Sequence, residues 1–201
     1  MRAIVIGATG ATGKELVHQL LASDRFTEVR ILVRRPTTWK HPKLKAYIVD
    51  FNNLASYTQE VQGDVAFSCL GTTRKDAGSK DAQWIVDYDY QLAFAALAKQ
   101  QGVSTFVLLS AMGADKGSSF FYNKMKGALE ESVKALDFPR LRILQPGFIE
   151  RPDSDRLGER LTLPILRSFN GLGIFDNYRP ITTAALATAL IKSSYIYPEA
   201  F

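Results

Sequence analysis

The chain has 201 residues, with 25 basic against 20 acidic side chains and a formal charge of +5. That length gives one generous domain, and a chain of this size buries roughly 70% of its unfolded surface without a metal or disulfide staple. A composition of 46% hydrophobic and 22% charged residues, a single cysteine and no run of 18 apolar residues exclude a disordered chain, a disulfide scaffold and a membrane span.

In chain order, short apolar runs alternate with longer helical patterns. A strand is expected over Ala3–Ile6, then a glycine turn and a helix over Thr12–Ala22, where Leu16, Leu20 and Leu21 fall on one side. Strands follow at Val29–Val33, Ala46–Val49 and Val65–Ser68, and a long helix at Ala82–Gln101 stops at Gly102. The last repeats are a strand at Thr105–Leu109, a helix at Tyr122–Leu136 and a strand at Leu141–Leu144. Runs rich in Val, Ile and Leu fit strands buried on both faces. Strand–helix alternation predicts an α/β fold, a Rossmann doubly wound parallel sheet. After Gly147 three of the chain's prolines have broken or go on to break the rhythm, and only Leu157–Phe169 and Thr182–Ile191 read as helices. The expected organisation is one domain, with a cofactor core over 1–147 and a short C-terminal substrate cap over 148–201.

Gly7-Ala8-Thr9-Gly10-Ala11-Thr12-Gly13 lies between the first strand and the first helix. Glycines there allow a tight turn and close approach of backbone to a pyrophosphate, and the helix N-terminus adds unpaired N–H groups. A P-loop does not fit, because Ala8 and Glu15 stand where it needs glycine and Ser or Thr. About 20 residues past the last glycine, an NAD site carries an acid for the ribose hydroxyls. Here that count lands on Arg34 and Arg35. Guanidinium groups suit a phosphate, so NADP(H) is favoured over NAD(H), with ordinary surface arginines as the alternative. Asp50 ends the third strand and either faces the adenine or caps the following segment. Leu70 and Gly71 follow the fourth strand, where Gly71 lets backbone lie against a cofactor. Cys69 reads as a small core residue rather than a nucleophile.

Tyr122 and Lys126 are four residues apart, on one face of a helix. The preceding strand ends at Leu109-Ser110, so Ser110, Tyr122 and Lys126 are expected to converge at the carboxyl edge of the sheet. A phenol ordinarily titrates near pH 10, and a neighbouring ammonium lowers that value. Tyr122 then serves as general acid or base, Lys126 reaches the nicotinamide ribose, and Ser110 holds the substrate oxygen.

These stretches resemble the short-chain dehydrogenase/reductase family, in its atypical, extended-like group and more narrowly its Tat-interactive-protein-like oxidoreductase branch. The likeness rests on Gly7–Gly13, Leu32–Arg35, Val49–Phe51, Cys69–Arg74, Gly113–Lys116, Tyr122–Gly127 and Pro146-Gly147. It implies bound NADP(H) and a Ser110, Tyr122, Lys126 centre. It also implies cofactor contacts at Thr9, Gly10, Thr12, Arg34, Arg35, Leu70 and Gly71, and the candidate cofactor set further takes in Gly7, Ala11, Gly13 and Asp50. Tyr122, Lys126, Pro146 and Phe148 would lie near the nicotinamide, with Arg156 a less certain phosphate contact. By spacing, Asp87 takes the place of the asparagine that supports a proton relay in many short-chain reductases.

The reading is an NADP(H)-dependent oxidoreductase acting on a small carbonyl or alcohol substrate. Its alternative is a non-catalytic NADP(H) sensor that acts through a protein partner. Acidic residues interrupt the basic ones, and no RNA-binding or helix-turn-helix pattern is present, so nucleic acid is not an expected partner. No cluster of Cys, His and carboxylate suggests a metal. The apolar stretch at the N-terminus is too short for a signal-peptide core. A strand starting at the second residue suggests an intact N-terminus, and a cytoplasmic location is expected.

Overall fold

The computed structural model describes residues 1–150 and 180–195. Arg156 and the Leu157–Phe169 helix lie outside the described residues. Six parallel strands form the main sheet: β1 (Arg2–Ile6), β2 (Glu28–Val33), β3 (Leu44–Ile48), β4 (Val65–Ser68), β5 (Thr105–Leu109) and β6 (Arg140–Leu144). Their spatial order is β3-β2-β1-β4-β5-β6, the doubly wound Rossmann order. The strand order reverses beside β1 and β4, which opens a crevice at their carboxyl ends.

Alternate residues of each central strand face opposite layers. Ala3 and Val5 of β1 pack with Val107 and Leu109 of β5 in one core, while Ile4, Ile6, Phe106 and Leu108 enter the other. All these side chains are buried, because helices cover both faces. The first core is closed by α1 (Ala11–Ala22) through Leu16, Val17 and Leu20. The second is closed by α4 (Tyr90–Gln100) and α5 (Phe121–Lys134), with Phe94 and Phe138 flanking Phe106 at ring separations of 5.9 and 4.9 Å.

Two short helices, α2 (Arg74–Ala77) and α3 (Lys80–Trp84), follow β4. Between α3 and α4 the chain makes a π turn over Ile85–Asp89. The single helix expected over Ala82–Gln101 therefore contains a widened turn, which periodicity does not register. Trp84 packs against Tyr88 and Phe121, ring centroids 5.0 and 6.1 Å away.

Beyond β6, β7 (Ile149–Glu150) pairs in parallel with β8 (Ile181–Thr182), which leads into α6 (Thr183–Ser193). This last helix does not stand over the strand ends, where it was expected as part of a cap. Its Leu186, Ala187, Leu190 and Ile191 join the core beneath α1. Gln19 of α1 ties the two helices together, donating to the Ala184 carbonyl at 3.0 Å and accepting from the Thr188 hydroxyl at 2.9 Å. The apolar face of α6 thus completes the sheet's covering layer.

Candidate active site

The turn from β1 into α1 is built by close backbone approach. Gly7 has a φ of +76°, and a Cβ there would lie 2.3 Å from the Cys69 carbonyl carbon. A Cβ on Gly13 would lie 2.1 Å from the Gly7 carbonyl oxygen. Neither position admits a side chain, so the turn stays tight and seats against the end of β4. Gly10 caps α1 without any side-chain hydrogen bond, and no acidic residue occupies the first turn. The helix therefore presents backbone N–H groups and a positive dipole end to the crevice.

That crevice is a cavity of about 590 Å³. Gly10, Ala11 and Thr12 line one part, and Cys69, Leu70, Gly71 and Thr72 another. Ser110, Tyr122, Lys126, Asp87 and Ile149 line the rest. The expected trio is thus brought to one cavity with half of the glycine turn. Gly7 and Gly13 shape the turn from behind, and Thr9 is exposed. Arg34 and Arg35 are exposed just past β2 and lie outside the cavity lining. Pro146 and Phe148 do not line it either. The Pro146 carbonyl accepts from Met112 N–H at 3.0 Å, and the Phe148 carbonyl accepts from Ile181 N–H at 2.9 Å. Asp50 caps the 3-10 turn Phe51–Ser56 by accepting from Asn52 N–H at 2.9 Å.

Tyr122 sits in the first turn of α5 and is 42% exposed, while Lys126, one turn later, is buried. The loop ahead of α5 is pinned to the helix. Asn123 donates to the Gly113 carbonyl at 2.7 Å, and the backbone of Asp115 and Lys116 runs so close to Gly127 that no Cβ would fit there. This loop fixes how far the start of α5 stands from Ser110.

Asp87 is the residue that most changes the chemistry. Its Oδ1 lies 3.5 Å from Lys126 Nζ, with both side chains buried. Its Oδ2 accepts from Thr72 N–H at 2.9 Å, while Oδ1 has no hydrogen-bond partner. The Asp87 carbonyl, within the π turn, accepts from Gln91 Nε2 at 2.7 Å, and Gln91 in turn accepts from the Ser68 hydroxyl at 2.8 Å. Burial pushes the Asp87 carboxyl above its ordinary range, with the Lys126 ammonium and Thr72 N–H opposing. Burial likewise pulls Lys126 down, and Asp87 opposes that most strongly. Cys69 is pushed up to about 12 by burial, so it is an inert thiol at neutral pH.

A family profile described as NAD(P)H-binding matches residues 7–146. The chain belongs to this NAD(P)H-binding family. Among relatives of this family, Protein HTATIP2 of Rattus norvegicus is 43% identical over 163 residues, covering 78% of this chain and 66% of that protein. The chain thus spans just under two thirds of the rat relative. Protein FMP52-1, mitochondrial, of Scheffersomyces stipitis is 33% identical over 201 residues, covering 96% of this chain and 88% of that protein. Two solved structures share the fold. MoeE5 in complex with UDP-glucose and NAD has a TM-score of 0.74 at 18% identity, covering 99% of this chain and 73% of that one. A short-chain dehydrogenase/reductase superfamily protein from Agrobacterium tumefaciens with bound NAD has a TM-score of 0.66 at 17% identity, covering 96% and 62%. Together these matches place the chain in an NAD(P)H-binding family with a Rossmann fold.

The relatives correct one expectation. Several FMP52 proteins at 33–37% identity are named mitochondrial, which overturns the cytoplasmic location read from the N-terminus. No helix among the described residues is long and apolar enough to cross a membrane.

Sequence reasoning missed Glu130, which meets Ser110, and Gln145, which meets Glu130, and it missed Gln83, Arg74 and Ile149 in the cavity wall. Glu130 carried a usable signal, since Tyr122, Lys126 and Glu130 recur at four-residue steps on one helix.

Proposed function

We propose that this chain is an NADP(H)-dependent oxidoreductase that interconverts a small carbonyl compound and its alcohol. The observation that carries the reading is the meeting of Ser110, Tyr122 and Lys126 in one cavity with Gly10–Thr12 and Cys69–Thr72. The residues fit a dinucleotide on several counts. A Cβ at Gly7 or Gly13 would fill the space the turn needs, α1 offers an uncapped N-terminus, and Asp87 Oδ1 is a buried acceptor in the cavity wall without a hydrogen bond. Gly10–Thr12 would hold the pyrophosphate, Leu70 and Gly71 the adjoining backbone-facing side, and Asp50 the adenine end. The two arginines just past β2, Arg34 and Arg35, suit a ribose phosphate by charge and paired donors. Thr9, Pro146 and Phe148 are further contacts in this reading.

Bound NADPH supplies a hydride to the carbonyl carbon. Tyr122 gives its phenolic proton to the carbonyl oxygen, and its exposure lets solvent restore that proton. Lys126 favours the phenolate by charge and orients the ribose. In the reverse direction Tyr122 takes the alcohol proton.

Asp87 favours a second reading. A carboxylate 3.5 Å from Lys126 offsets the charge that would activate Tyr122. In that reading the chain binds NADP(H) and signals to a protein partner without turnover. Tyr122→Phe decides between them when assayed with a panel of small aldehydes and ketones. The oxidoreductase loses at least about 100-fold in kcat and keeps its NADPH affinity. A wild type that turns over no member of the panel, yet binds NADPH, removes the first reading.

A further inference from the structure

A second carboxylate lies behind the trio. Glu130 stands one turn past Lys126 on α5 and is only 5% exposed, as is Ser110. The Ser110 hydroxyl donates to Glu130 Oε1 at 2.5 Å. Gln145, the first residue after β6, donates Nε2 to both Glu130 oxygens, at 2.8 and 3.0 Å. One carboxylate thus joins the end of β5, the end of β6 and the middle of α5. Both of its oxygens thus face an N–H or O–H donor.

A serine hydroxyl has one proton and two lone pairs. Here the proton points at Glu130 and away from the cavity that Ser110 lines. We propose that Glu130 is a positioning residue that holds the Ser110 proton out of the cavity, so that Ser110 meets the substrate as a hydrogen-bond acceptor. The proposal rests on the carbonyl–alcohol reading of this cavity and deepens it. Ser110 then has no proton for a carbonyl oxygen, and Tyr122 is left as the donor to it. After Tyr122 has given its proton, the new alcohol O–H finds an acceptor in Ser110. The ligand class that this wall selects is therefore the hydroxyl form of the substrate.

Two measurements on the full chain test this. The first needs neither cofactor nor turnover. Carboxyl-13C-glutamate labelling allows the Glu130 carboxylate stretching band to be assigned by its loss in Glu130→Gln. Ser110→Ala is expected to move that band, because a hydrogen bond to the carboxylate is lost, and an unmoved band overturns the proposal. The second compares carbonyl KM with the inhibition constant of the matching alcohol. Glu130→Leu releases the Ser110 proton and is expected to weaken alcohol inhibition about tenfold without raising carbonyl KM. Glu130→Gln keeps an acceptor oxygen and restores most of the alcohol affinity, and Glu130→Leu adds nothing in a Ser110→Ala background. Equal weakening of both ligands, or an equal loss without Ser110, marks Glu130 as a structural staple and overturns the proposal. A wild type inactive on the whole panel, with the band still moving in Ser110→Ala, removes the oxidoreductase reading and leaves the proton arrangement standing.

Discussion

The two halves of the cavity are built by different means. At the glycine turn, main chain meets main chain: Gly13 against the Gly7 carbonyl, and Gly7 against the end of β4. At the other half, buried polar side chains from distant elements meet one another: Asp87 with Lys126, and Ser110 with Glu130. The first half is steric and indifferent to pH. The second is electrostatic, and each of its members depends on a partner to stay buried.

Substitutions can break this contrast. The largest effect is expected in the electrostatic half. Asp87→Ala leaves Lys126 buried without its carboxylate and should destabilise the fold by about 3–5 kcal/mol. The double variant Asp87→Asn with Lys126→Met removes both charges and should recover most of that loss in urea denaturation. If the double variant is as unstable as the single one, the cost comes from packing rather than charge. In the steric half, Gly13→Ala puts a methyl group where the Gly7 carbonyl stands and should weaken NADPH binding by about 10- to 100-fold. Strain at φ or contact of this kind costs on the order of 1–3 kcal/mol. Fluorescence titration of NADPH against the variant reads it directly, and unchanged affinity would show that the turn relaxes freely. Arg34→Ala or Arg35→Ala tests a third, exposed region. NADPH affinity should fall by roughly tenfold with NADH affinity unchanged, since a charge-assisted hydrogen bond to phosphate is worth about 1.5–3 kcal/mol.

The smallest effect sharpens the comparison through pH. Burial raises Asp87 above its ordinary carboxylate range, so the folded chain holds that proton to higher pH than the unfolded one. Stability relative to Asp87→Asn should therefore fall as pH climbs from the unfolded carboxyl's range through the raised folded value. Lys126 is lowered, so the folded chain sheds that proton earlier. Stability relative to a Lys126→Met variant should fall as pH drops from the unfolded lysine's range through the lowered folded value. Glu130 and Cys69 also face Lys126, and both belong in any fit of that curve. Gly13→Ala should leave both slopes untouched.

The same contrast decides what could be read from the sequence. All six strands of the main sheet, and helices α1, α5 and α6, are visible as local patterns, because burial imposes a period on neighbouring residues. The contact of Gly13 with the Gly7 carbonyl is equally local, six residues apart, whereas the seat of Gly7 against Cys69 is not. The Asp87–Lys126 pair is not local, because β5 and its loop intervene. Spacing suggested that Asp87 replaces an amide, but only the packing of the π turn against α5 brings it to the ammonium. The grip of Glu130 on Ser110 needs the register of α5 against β5, which no period encodes. The four residues of α2 and the 3-10 turn at Phe51–Ser56 are too short to carry a period at all.

The π turn has a consequence for the long helix as a whole. Gln83, Asp87, Gln91 and Ala95 are all buried, at successive four-residue steps. In an ideal α-helix each such step overshoots a full turn by about 40°, so three steps would swing the last residue about 120° away from the first. The wider ladder of a π turn takes in an extra residue and gives back part of that rotation. Ile85–Asp89 thus acts as a phase corrector between two amphipathic halves. Excising one residue there would preserve the pattern of each half and throw them out of step with each other.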